Sequence, residues 1–126
     1  MSKQIYKKIE TTVTVRGKQL PCFVSIYTDY EDMRLEEAFE CETEESISDM
    51  YKKLDKCQAE WLIIFVDAKL ECFEGNDCLG GNWIDSNYTL DQALDEHGMI
   101  DNAIRELSKE IESQYIKLSK IFEVQS

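Results

Sequence analysis

The chain has 126 residues, with 26 aspartates and glutamates against 14 lysines and arginines, and a formal charge of −12. That length fits one compact domain over 1–126 with one hydrophobic core. A field of this sign repels DNA, RNA and anionic lipid, so direct nucleic-acid binding and membrane attachment are not expected, and its attraction is for basic protein surfaces or cations.

Ile5, Ile9, Thr11, Val13 and Val15 alternate with Lys8, Glu10, Thr12, Thr14 and Arg16, the pattern of a strand with one dry and one wet face. Arg16-Gly17-Lys18 is suited to reverse the chain. Leu20, Cys22, Val24 and Ile26 resume the alternation, with Phe23 and Tyr27 on the other face. Apolar side chains on both faces suit a central or helix-covered strand, and Pro21 belongs near its start or at an edge.

The next segment carries the densest charge. Residues 29 to 49 contain ten acids and one base, Arg34, yet Met33, Leu35, Phe39 and Cys41 run through them, which suggests folded structure rather than a disordered acidic tail. Its period is ambiguous, since a helix would group Leu35, Ala38 and Phe39. A third antiparallel strand is preferred, because it extends the preceding pair as a meander. On such a strand Glu40 and Glu42 would lie about 7 Å apart, with Glu36 farther along the same face.

Thr43 is a candidate cap for a following helix, with Glu44 and Glu45 at its positive end and Ile47, Met50, Tyr51, Leu54 and Cys57 as its apolar stripe. Trp61 to Val66 reads as a buried strand continuing to Cys72. Phe73 to Ser86, rich in Gly75, Gly80, Gly81, Asn76 and Asn82, reads as a loop with at most a short strand at its far end. Thr89 and Gln92 look like a capping pair for a short helix ending at His97 and Gly98. Finally, Ile100, Ile104, Leu107, Ile111, Tyr115, Leu118 and Phe122 recur at three- and four-residue spacings, predicting a long terminal helix that packs on the sheet or pairs with a second copy. The fold class is therefore α+β: a three- or four-stranded antiparallel sheet with two or three helices, the last of them long.

Chemistry-bearing motifs are sparse. The single histidine, His97, reads as a partly buried helix-terminal residue rather than a general base. Asp85, Asn87, Thr89, Asp91 and Glu96 have the spacing of a calcium loop, but Leu90 replaces its essential glycine. Residues 74–82 lack the Gly-Lys-Ser/Thr ending of a phosphate loop. The five cysteines form no Cys-x-x-Cys pair and read as reduced, mostly structural thiols in a cytoplasmic protein. No catalytic residue, cofactor or metal site is assigned. The reading these features favour is a non-catalytic acidic protein-binding module, and in its specific form an inhibitor occupying a basic nucleic-acid-binding surface by charge mimicry. Asp29, Glu31, Asp32, Glu36, Glu40, Glu42, Glu44 and Glu45 would supply the charge, with Leu79 and Trp83 as apolar anchors on a glycine-loosened loop. Two alternatives stay open: a small enzyme using carboxylates such as Asp67, Glu71, Glu74 and Asp85, and an assembly subunit using its C-terminal helix, as in a homodimer.

Overall fold

The computed structural model describes residues 3–125, with side chains to Glu123. Its elements are β1 (Gln4–Val15), β2 (Lys18–Tyr30), α1 (Leu35–Ala38), α2 (Glu44–Asp55), β3 (Ala59–Leu70), β4 (Phe73–Asp85), α3 (Leu90–Glu96) and α4 (Met99–Gln125). The four strands form one antiparallel sheet in the order β1-β2-β3-β4. The architecture is thus α+β with four helices, one more than the upper expectation because the acidic segment contributes its own.

The first hairpin follows from local chemistry. Val15 pairs with Lys18 across a two-residue turn in which Arg16 and Gly17 both have positive φ (51° and 78°), the type I′ geometry that matches the twist of paired strands. β2 lies between β1 and β3, and Pro21 precedes the first β2–β3 pair, Phe23 with Lys69, where its missing N–H interrupts no β3 ladder bond.

Two sequence expectations are corrected. Residues 31–42 do not form a third strand: they hold a short linker, the single turn α1 and a second turn. Leu35 is buried and Phe39 packs on Trp61 at a ring separation of 5.6 Å, so the helical spacing of these residues prevails over the strand pattern. Phe73 to Ser86 is not a loop either, because residues 73–85 are a full strand paired with β3 from Leu70–Phe73 to Ala59–Asp85. Its glycines answer tertiary demands. A Cβ at Gly75 would stand 2.2 Å from both the Ala103 carbonyl oxygen and the Leu107 amide nitrogen of α4. Gly80 and Gly81 fall where the β3–β4 register slips between Leu62 and Ile64, and the Asn82 side-chain amide donates to the Leu62 and Leu79 carbonyls there, at 3.1 and 2.7 Å.

One face of the sheet carries the main core. Val13, Val24, Ile26, Ile64, Val66 and their neighbours pack beneath α3 and α4. Along α4 the fully buried residues are Met99, Ala103 and Leu107, while Ile100, Ile104 and Ile111 flank them. The buried line therefore departs from the stripe inferred from hydropathy at Met99 and Ala103 and meets it at Leu107, because small Ala103 sits where the helix approaches Gly75. α4 then runs toward the hairpin turn: Ser108 donates to the Thr14 carbonyl at 2.9 Å, and Arg16 pairs with Glu112 at 2.6 Å. The opposite sheet face is covered at the other end only, by α1 and α2 over Trp61. No helix among the described residues is long and apolar enough to cross a membrane.

The helix caps match their sequence signals. Thr43 accepts from the Ser46 amide, and Thr89 and Gln92 form a reciprocal capping box. His97 is the C-cap of α3 but is exposed, not partly buried. Of the five free cysteines only Cys22 is buried, and burial pushes its thiol pKa up. Cys41, Cys57 and Cys72 lie in turns and Cys78 on the outward face of β4, so these four are not core thiols.

Candidate protein-binding site

The acidic segment is fastened to the sheet by a small separate core. Leu35, Ile47 and Trp61 are its buried centre, and Phe39, Met50, Leu54 and Trp83 pack around them. The Trp61 indole N–H donates to the Met33 carbonyl at 2.7 Å, and the Glu31 amide donates to the Trp61 carbonyl at 3.0 Å. A tryptophan here serves two needs: its ring fills the core, and its one polar atom holds the linker that leads into α1.

The acids divide into committed and outward-facing groups. Glu31 accepts from the Gly81 amide at 2.7 Å and from the Asp32 amide at 3.0 Å, so its carboxylate closes the irregular part of β4. Glu36 pairs with Arg34 at 2.6 Å. The Tyr51 hydroxyl, and next the Arg34 guanidinium, hold the Glu36 carboxyl below its usual pKa, while Glu36 pushes the Tyr51 pKa up. Asp29 accepts from the Tyr30 amide, and Glu42 from the Ser46 hydroxyl. Asp32, Glu37, Glu40, Glu44 and Glu45 are exposed and have no ion pair among the described residues. Glu40 and Glu42 do not share the face of a strand, because both lie in the turn between α1 and α2.

A cleft of about 660 Å³ opens between the 31–34 linker, the adjoining ends of β2 and α1, the C-terminal end of α2 and the ends of β3 and β4, and of the outward acids Asp32 lines it. Tyr30, Met33 and Tyr51 line it and are 56%, 43% and 39% exposed. Asp32 and Glu60 add charge to its lining. Sequence patterns alone do not mark Met33 or Tyr51 as contact residues. Tyr51 reads as part of the inward stripe of α2, yet it falls at the edge of that stripe, where a side chain can face a cleft instead of a core.

Leu79 packs against the main core and Trp83 against the Trp61 cluster. The neighbouring glycines therefore do not swing either side chain outward. The Trp83 indole donates to Asp85 at 3.0 Å, and Asp85 also accepts from the Asn87 and Tyr88 amides. The Asn87 amide above all holds the Asp85 carboxyl below its usual pKa. These bonds make Asp85 a turn-fastening residue, and replacing it with asparagine is expected to lower stability by about 1 kcal/mol at neutral pH. A depressed native pKa contributes stability above the unfolded value, about 3.9, and loses it as pH falls through the lower native value. The gap between wild type and Asp85→Asn in thermal melts should accordingly close below about pH 4.

The carboxylates considered for catalysis are dispersed. Glu71 lies in the β3–β4 turn and Glu74 opposite Lys69 near that turn, Asp67 is mid-strand opposite Asn76, and Asp85 is at the other end of β4. Among the described residues, no three His, Cys, Asp or Glu side chains are grouped as a metal ion would require. The chain matches no protein-family model, no curated protein and no solved structure.

Proposed function

We propose that this chain is a non-catalytic acidic protein-binding module that captures a basic protein surface at the end of the sheet carrying α1 and α2. The observation that carries this reading is the run of outward carboxylates, Asp32, Glu37, Glu40, Glu44 and Glu45, on the one segment whose first residues line a cleft with exposed Tyr30, Met33 and Tyr51. Carboxylates accept charge-assisted bonds from arginine and lysine, and a tyrosine face accepts a guanidinium by stacking. In its specific form the module is an inhibitor: it occupies basic side chains that a nucleic-acid-binding protein otherwise commits to phosphates. Acting in this way it makes no contact with nucleic acid itself. The reading places the chain in the cytoplasm, where its five free cysteines stay reduced.

The test is partner capture by wild type and by the neutralised variant Asp32→Asn, Glu40→Gln, Glu44→Gln, Glu45→Gln. Binding to the captured basic protein is expected to weaken roughly 10- to 100-fold at about 50 mM salt, mainly through slower association. The difference should largely vanish at about 500 mM salt, where exposed charges are screened. Equal affinity of the two proteins at low salt, with unchanged circular dichroism, would overturn the proposed surface.

A further inference from the structure

The far end of α4 poses a separate question. Its 27 residues make about 40 Å of helix, and among the described residues Arg16 of the hairpin turn meets it at Glu112 and at the Tyr115 ring, 4.3 Å from its centroid. Beyond them the helix leaves the fold, yet its sequence stays amphipathic. Tyr115, Leu118, Ile121 and Phe122 are 49%, 54%, 51% and 67% exposed, and at 100° per residue they occupy about one third of the helix circumference. Gln114 lies within the same arc, Ser119 and Lys117 flank its two edges, and Lys120 lies farther round. Two to three helical turns without tertiary cover are marginal in water, and an apolar stripe on them calls for burial.

We propose that this stripe is the seam of a symmetric dimer in which α4 from a second copy packs antiparallel. Charge identifies the occupant. The acidic α1–α2 segment and the protruding end of α4 sit at opposite ends of the sheet: the first adjoins Tyr30, Ala59 and Asp85, the second adjoins the 16–17 turn. Residues 102–126 balance four bases against four acids in a chain of net charge −12. Two copies joined through this neutral end keep their acidic ends far apart, whereas a parallel pairing would set two strongly negative bodies side by side. Antiparallel overlap places Tyr115 of one copy opposite Phe122 of the other, with Leu118 near the two-fold axis, and sets exposed Lys117 level with Lys120 of the other copy at the edge of the seam, where water screens them.

Area supports the same occupant. Aromatic side chains bury roughly 150–250 Å² each, so four half-exposed side chains offer on the order of 400 Å² per copy. With the stems of flanking residues, two copies bury on the order of 1,000 Å², the lower limit for a specific interface. Such a seam suits a dimer that forms at about 1–100 µM. The dimer presents two acidic ends outward, so a partner with repeated basic sites is bound bivalently. The seam stands whether or not the acidic end binds a basic protein.

Sedimentation velocity from about 1 to 200 µM tests it. Wild type is expected to move from 14.7 kDa toward twice that mass, and Leu118→Glu with Phe122→Glu is expected to raise the dissociation constant roughly 100-fold or more. Both positions are exposed, so circular dichroism should show the fold intact. As a second measurement, with Cys41, Cys57, Cys72 and Cys78 replaced by serine, a mixture of Tyr115→Cys and Phe122→Cys chains should cross-link to each other more than either does to itself. A wild type that remains monomeric, a dimer that survives the double substitution, or preferential self-cross-linking would each overturn the proposal.

Discussion

Substituting alanine for Gly75 is expected to destabilise the fold by about 3 kcal/mol or more, one of the largest effects available to a single methyl group in this chain. The added carbon would overlap the Ala103 carbonyl oxygen and the Leu107 amide nitrogen at 2.2 Å. Both are backbone atoms, so no side chain can rotate away. Nor can α4 retreat freely, since Ser108 is bonded to Thr14 and Glu112 to Arg16 on the far side of the contact. Urea unfolding should give a lower midpoint, and the melting temperature should fall by on the order of 10 °C. A change smaller than about 1 kcal/mol would mean that α4 does not lie this close to β4. The stabilities should be compared at concentrations below those at which the proposed dimer would form, because any association adds apparent stability by mass action.

Truncation of Trp61 to alanine is expected to cost about 3–5 kcal/mol, and to do so unevenly. Trp61 belongs to the small core with Leu35 and Ile47, not to the larger one beneath α4. Its loss removes the packing of Phe39, the hydrogen bond to Met33 and much of the wall of the cleft. Hydrogen exchange should then show protection lost first over residues 31–58, while the centre of β2 and the first half of α4 remain protected. Capture of a basic partner should fail although every acid is still present. If binding persists with residues 31–58 unprotected, charge alone suffices and the shaped surface is unnecessary.

These two residues also mark where sequence patterns succeed and where they mislead. The 4–30 hairpin is legible because its alternation, its Arg16-Gly17 turn and its partners are contiguous along the chain. The Thr43 and Thr89 caps are legible for the same reason: donor and acceptor lie three residues apart. β4 is not. Glycine and asparagine ordinarily signal loops, but Gly75 makes room for a helix that follows it by some 30 residues, and Gly81 gives its amide to Glu31, 50 residues earlier. The acidic segment is equally deceptive, because Leu35 and Phe39 choose their conformation by reaching Trp61.

The candidate site divides along the same line. Net charge, its concentration between residues 29 and 49, and the amphipathic period of the last helix are properties of composition and order, and they hold whatever the chain packs against. Which acids stay outward is a matter of long-range geometry: Glu31 and Glu36 are engaged by Gly81 and Arg34, while Asp32, Glu40, Glu44 and Glu45 remain exposed. The cleft depends on side chains from five elements, β2, α1, α2, β3 and β4, meeting at one end of the sheet. The terminal stripe shows the distinction most plainly, since one periodic pattern is buried at Leu107 and open at Phe122. Periodicity sets which side of a helix is apolar, but where the sheet stops sets how much of that side the fold itself can cover.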